Sequence, residues 1–165
     1  MPELDKKALL GALKAQLQTE LERAQKRAKD AADGATHEEN RAEGDKDMRA
    51  TEASYVARGQ AGRASEMEEA FVRISALELL DFKPGQRIAI SALIELLHDD
   101  KRLHYFLVPA AGGERVVLNG TEVQTLTPQS PLGRALLGSS EGDEAELPAR
   151  QPGEGPRVYE IVKVR

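Results

Sequence analysis

Along residues 4–33 the apolar positions fall at Leu10, Leu13, Leu17, Leu21, Ala24, Ala28 and Ala31. Steps of three and four place these on one face of a helix. Ala50, Ala53, Ala57, Gln60, Ala64, Met67, Phe71 and Ile74 repeat the pattern with strictly alternating steps, a heptad seam. Between the two stretches, residues 34–47 contain two glycines and dense charge, which predicts a turn. The first seam passes from leucine to alanine and the second from alanine to Met67, Phe71 and Ile74. Folded back antiparallel, large residues meet at the base and small ones near the turn, where helix axes can approach closely. The prediction is a tapering antiparallel coiled-coil hairpin over residues 1–76, with its tip near 34–47 and an arm on the order of 40 Å long.

After Ile74 the period changes from helical to alternating. Lys83-Pro84-Gly85-Gln86 reads as a turn leading into a strand at Arg87-Ile88-Ala89-Ile90. Asp99-Asp100-Lys101 predicts a hairpin loop between Leu93–Leu97 and Leu103–Val108. Asn119-Gly120 predicts a second, because both residues tolerate the positive φ of a two-residue turn. Ser130 as N-cap, Pro131 at the first helical position and Gly138 as the stop bracket one short helix. Residues 158–164 alternate as a final strand. The fold class is α+β, with a small antiparallel sheet and one short helix over residues 77–165.

Composition narrows the function. Residues 1–75 hold 13 Lys/Arg against 15 Asp/Glu, and residues 76–165 hold 10 against 13. Neither half has the basic surplus of a phosphate-backbone binder, so autonomous sequence-specific DNA binding is not expected. No apolar run reaches the roughly 18–20 residues of a membrane span. The chain has no cysteine, so it makes no disulfide, thiolate nucleophile or Cys-based zinc site. A soluble cytoplasmic monomer is the expectation. His37, His98 and His104 form no metal-binding pattern, and His98 and His104 are expected on opposite arms of one hairpin.

The turn region holds Glu38, Glu39, Glu43, Asp45 and Asp47 against Arg41 and Lys46. Charge at a turn is most simply solvated surface, and Asp45 or Asp47 suits a helix start, where free N–H groups favour an anion. A carboxylate cluster at the end of an arm can also offer oxygen ligands to a hard cation. Arg23, Lys26, Arg27, Arg58 and Arg63 flank the seams and read first as solvated helix surface.

The stretch from Thr127 to Gly138, Thr-Pro-Gln-Ser-Pro-Leu-Gly-Arg-Ala-Leu-Leu-Gly, is followed by Glu141-Gly142-Asp143-Glu144-Ala145-Glu146-Leu147 and Tyr159-Glu160-Ile161-Val162. In order and spacing it closely resembles the carboxyl-terminal domain of the GreA/GreB transcript cleavage factors. That family shows a Ser-Pro-x-(Ala/Gly)-Arg-Ala-Leu-(Leu/Ile)-Gly helix, a Gly-Asp strand start and a Tyr-Glu-Ile-Val strand. Gly62-Arg63 with Glu66-Met67-Glu68 is similar to the family's second-helix stretch. The resemblance implies an FKBP-like C-terminal domain and a bacterial RNA polymerase accessory factor, not itself an enzyme. Such a factor is cytoplasmic and joins the nucleoid through the polymerase. Its globular domain docks at the rim of the polymerase secondary channel, with Ser130, Pro131 and Leu132 at the matching Ser-Pro loop. The coiled coil enters the channel, and tip carboxylates help hold the second Mg ion of the polymerase active site. The polymerase then cleaves the 3′ end of backtracked RNA, which the factor touches only indirectly.

The tip departs from the family, whose Gly-Asp-Leu-Ser-Glu-Asn-Ala-Glu-Tyr is absent. Anchoring on Glu39-Asn40 puts Thr36 where the family has its Asp. Anchoring on Gly62-Arg63 puts the critical pair at Glu43 and Lys46, one step from Asp47. Glu43 and Asp47 are the first expectation for the cleavage-stimulating, Mg-holding pair, followed by Asp45 and Glu39. The alternative is a factor that binds polymerase without stimulating cleavage and modulates or inhibits transcription. Prolyl isomerisation is disfavoured by the few aromatics available for a concave pocket. A homodimeric coiled-coil spacer is a further alternative.

Overall fold

The computed structural model describes residues 3–39 and 46–165, with Glu39, Lys46 and Asp47 through their backbone alone. Two long helices, α1 (Lys6–Glu39) and α2 (Lys46–Ser75), form a helical hairpin. They precede β1 (Leu93–His98), β2 (Lys101–Leu107), β3 (Arg115–Leu118), β4 (Thr121–Leu126), α3 (Pro131–Leu136), β5 (Glu144–Leu147) and β6 (Arg157–Val164). The chain divides into two compact units, residues 14–72 and a unit made of residues 1–13 with 73–165. The base of each helix therefore belongs with the sheet.

Within residues 14–72 the predicted seams are the covered stripes. On α1, Leu17, Leu21 and Ala24 are buried and Ala28 and Ala31 partly so. On α2, Ala50, Ala53, Ala57, Gln60, Met67 and Phe71 are partly covered and Ala64 is buried. The predicted turn boundary is corrected. Residues 34–39 are helical and α2 already begins at Lys46, so the connector is shorter than 34–47. The seam explains this, since it continues from Ala31 to buried Ala35 and half-buried Glu38 in the same steps of four and three. One glycine in a helix costs only about 1 kcal/mol relative to alanine, and Gly34 sits among good helix formers. At 34 residues α1 is about 51 Å long, more than the sequence suggested.

In the sheet unit, Asp5 caps α1 by accepting the Lys7 N–H at 2.9 Å. Lys6 sends its ammonium to Leu80 O and Arg165 O and lies over the Phe82 ring, 4.9 Å from its centroid. The six-stranded sheet has the order β3-β4-β2-β1-β6-β5. Both predicted hairpins form, with positive φ at Asp99 and Asp100 and at Asn119 and Gly120. The sheet is not wholly antiparallel, because β2 and β4 pair in parallel from His104↔Val123 to Leu107↔Leu126. Hairpin β3–β4 turns back on itself, so β4 reaches β2 running in the same direction. A bulge in β6 shifts its register with β1 between Glu95 and Leu96.

Residues 87–90 form no ladder strand, contrary to the sequence expectation, and Ile90 already lies in a turn. Ile88 spends both its backbone groups on the turn after α3, donating to Ser139 O at 2.7 Å and accepting from Gly138 N at 2.9 Å. Ser91, at φ +77°, lies in the turn closed by the Ala92 N–H bond to Ala89 O at 3.1 Å. The core of the unit joins Ile88, Ile94, Leu96 and Leu107 with Leu132 and Leu136 of α3 and with Leu147, Tyr159 and Ile161.

Two measurements test this architecture. Gly34→Ala is expected to raise helix stability by about 0.5–1 kcal/mol, because a Cβ there meets no atom within 4 Å. Circular dichroism would read it as a higher melting temperature, whereas a turn glycine would give a loss. For Lys6, burial lowers the pKa to about 8, against the opposing pull of Asp81. A lowered ammonium pKa means the unfolded chain binds the extra proton more tightly. Stability is therefore expected to rise between about pH 8 and the ordinary lysine value of 10.5. Chemical denaturation of Lys6→Met should lose that slope.

Candidate functional site

The turn entering α3 is built from its own backbone and one hydroxyl. Ser130 is extended, at φ −69° and ψ 152°. Its Oγ accepts the Gly133 N–H at 3.1 Å and donates to Thr127 O at 2.8 Å. Arg134 closes the outside, donating from Nε and Nη2 to Gln129 O at 3.1 and 2.9 Å. Pro131 fills the first helical position, where an N–H would have no partner. At Gly133 the helix rides so close to Thr127 O that a Cβ would lie 2.0 Å from it. The three predicted docking residues are adjacent but face different ways. Pro131 is exposed, Ser130 half-buried, and Leu132 is 8% exposed within the core cluster.

At the far end of the hairpin, Glu39 is the last residue of α1 and Asp47 the second of α2. Glu43 and Asp45 lie outside the described residues. Among the described residues no three His, Asp or Glu are grouped as a cation site. Thr36, which replaces the family's Asp in one alignment, is helical and donates its hydroxyl to Ala32 O at 3.1 Å. Arg23, Lys26, Arg27, Arg58 and Arg63 are all exposed on the helices. His98 and His104 lie on opposite arms of the β1–β2 hairpin as expected, with His98 stacked on Tyr159 at a centroid distance of 4.3 Å.

Sequence reasoning missed three features. The Asp5 cap had a signal, an Asp immediately before the first helical period; the reach of Lys6 had none. The third is a cavity of about 810 Å³ on the sheet unit, lined in part by Leu4, Glu95, Arg102, His104, Glu122 and Lys163. Arg102 donates to Glu95, whose cross-strand partners are His104 and Lys163. These charges largely answer one another, and no residue of the α3 turn lines the cavity.

A helical hairpin with a charged connector, followed by a mixed sheet with a serine-capped helix before its last two strands, defines a two-part α+β factor. The chain belongs to the GreA/GreB family: the family described as transcription elongation factor, GreA/GreB, C-terminal, matches residues 83–165. It is 33% identical over 108 residues to transcription elongation factor GreA of Acidiphilium cryptum, covering 63% of this chain and 61% of that one. It is 29% identical over 103 residues to GreA of Hyphomonas neptunium, covering 62% and 60%. The chain thus spans about three fifths of the length of the curated relatives it matches. Among solved structures it is similar to GreA factor homolog 1 of Thermus thermophilus, with 22% identity, 92% and 94% coverage and a TM-score of 0.36.

Removing the cap tests the turn. Ser130→Ala is expected to cost about 1 kcal/mol, lowering the melting temperature by about 2–4 °C. Thermal unfolding followed by near-ultraviolet circular dichroism, which reports the aromatic residues of the sheet, would show it.

Proposed function

We propose that this protein is a bacterial RNA polymerase-binding elongation factor that inserts its hairpin into the polymerase secondary channel and stimulates cleavage of backtracked RNA by the polymerase. The observation that carries the reading is the pairing of a family-matched C-terminal unit with a long hairpin whose connector is rich in carboxylates. The exposed Pro131, on a turn stiffened by Ser130 and Gly133, is a rigid surface for docking at the channel rim. Leu132 supports it from the core side.

Glu43 and Asp47, with Asp45 and Glu39 nearby in sequence, are the groups that would contribute oxygens to the second Mg ion of the polymerase. Carboxylate oxygens suit this hard cation, which keeps waters and takes only one or two protein carboxylates. In two-metal phosphodiester hydrolysis the ions stabilise the attacking and leaving oxygens. The factor's own task is to bring negative charge to that place and hold it there. The hairpin is suited to this, because its distal part buries only a narrow seam and leaves its remaining surface polar.

One observation favours a second reading. Thr36 has no charge and spends its hydroxyl inside the helix, so the family's Asp is missing in one alignment. In the other, Lys46 stands in place of an acid. A factor so altered would bind polymerase and modulate synthesis without promoting cleavage.

Stalled, backtracked elongation complexes separate the two. Adding the protein should shorten the RNA from its 3′ end, and Glu43→Gln with Asp47→Asn should lower that rate by about tenfold or more at unchanged polymerase affinity. Full cleavage by the double variant would remove this pair from the assignment. Binding with slowed synthesis and no shortened RNA would establish the second reading, and failure to bind polymerase would defeat both.

A further inference from the structure

The cavity of about 810 Å³ lies wholly within the sheet unit, and its volume falls within the range of about 300–1,000 Å³ typical of small-molecule sites. Its floor follows from strand register. Glu95 on β1 pairs with His104 on β2 and with Lys163 on β6, so these three side chains share one face of the sheet. Leu93, two residues before Glu95, lies on that face too, and Leu4, just ahead of α1, joins it in the lining. One side of the floor is therefore apolar. The β2·β4 ladder begins at His104↔Val123, so Arg102 on one strand and Thr121 on the other enter the wall ahead of any pairing between them.

The charged groups of the wall are answered, with one exception. Arg102 donates to Glu95 Oε1, and His104 Nε2 lies 4.0 Å from Oε2 of the same carboxylate. Glu122 faces Arg115 at 3.9 Å, and Arg165 faces Glu3 at 3.7 Å. Lys163 has no hydrogen-bond or ion-pair partner among the described residues, although Glu95 is its cross-strand neighbour. Glu95 is committed to Arg102 and His104, both on β2, whereas Lys163 is on β6 at its other side. One ammonium is thus left over at a cavity whose adjoining floor is leucine.

We propose that this cavity binds a small organic monocarboxylate, with its carboxylate on Lys163 and its apolar body against Leu93 and Leu4. One unanswered cation matches one negative charge, whereas a second anionic group would meet Glu95. Arg102 offsets the Glu95 charge, so the carboxylate is not driven away from Lys163. The His104 ring has an N–H that can donate to the same ligand. An uncharged molecule of the same shape gains only the leucine contacts. Acetate gains only an ion pair at an exposed lysine, which is worth little by itself. The site therefore selects a ligand that carries both parts, and it is independent of polymerase binding.

The test uses the full chain labelled with nitrogen-15 and follows its backbone amides by NMR. Phenylacetate is titrated in one arm and 4-methylpentanoate in another, one acid with a flat body and one with a branched body. Half-saturation is expected at about 1 mM for at least one acid, as suits a ligand of this size. The shifts should fall at Leu93, Glu95, His104 and Lys163, and not at Leu17 or Leu21 of the hairpin. Phenylacetamide, which keeps the body without the charge, and acetate, which keeps the charge without the body, should each bind about tenfold more weakly. Lys163→Gln should weaken the acid about tenfold and Lys163→Arg should keep it within about threefold. Lys163 is exposed, so neither substitution disturbs the core. The proposal is overturned if neither acid moves these amides at about 20 mM, if phenylacetamide or acetate binds as tightly as the acid, or if Lys163→Gln binds it like the wild type.

Discussion

Two helices lying side by side can hide only one stripe each, and this limit governs the rest of the molecule. Leucines carry the stripe on the first part of α1, alanines on its second, and on α2 most of the seam is only partly covered. Burying a leucine-sized side chain is worth roughly 1.5–3 kcal/mol, and an alanine far less. The firm burial is at the base, where Leu9, Leu13 and Ile74 have almost no exposed surface. Those residues belong to the same compact unit as the sheet. The first turns of α1 and the end of α2 are therefore held within the sheet unit, while between residues 14 and 72 most of the α2 seam is only partly covered. The Asp5 cap and the Lys6 contacts serve the same constraint, since they fix α1 where its burial begins.

The helical half was legible because its signal is periodic and long. Every predicted seam position on both helices is buried or partly covered, including Gln60, which a hydrophobicity reading alone would have left out. Gly34 carries a turn signal in the sequence, yet α1 runs on to Glu39. The seam runs on through Ala35 and Glu38, and several good helix formers outweigh one glycine. The β half was legible where turn chemistry is specific, at Asp99-Asp100 and Asn119-Gly120. It was less so where pairing depends on distant partners. The alternation at Arg87–Ile90 reads as a strand, and the difference lies in Ile88 bonding to the turn after α3. The parallel β2·β4 pairing and the bulge in β6 are products of how the whole sheet closes.

The α3 turn shows how far a local reading reaches. Ser-Pro followed by an apolar helical period specifies a cap, and the cap forms with the expected atoms. The same three residues resemble a docking loop, but their facing depends on the sheet beneath. Leu132 points into the core beside Leu136, while Pro131 remains outside. Burial and exposure are thus divided between neighbours, with Ser130 holding the bend that separates them.

The hairpin tip has an electrostatic asymmetry that follows from where the helices end. The N-terminal end of α2 carries partial positive charge, so an acid at position 47 has the sign the backbone favours. The C-terminal end of α1 carries partial negative charge, so Glu38, in its last turn, has the sign the backbone opposes. His37 is the one basic residue in that turn. On the reading proposed above, carboxylates set against the local field would favour a divalent ion offered by a partner. The seam extends α1 past Gly34 and thereby carries acids to the wrong end of a helix. For an isolated coiled coil that arrangement is a small defect. On the proposed reading, in which the hairpin meets another protein's metal ion, it would be a source of attraction.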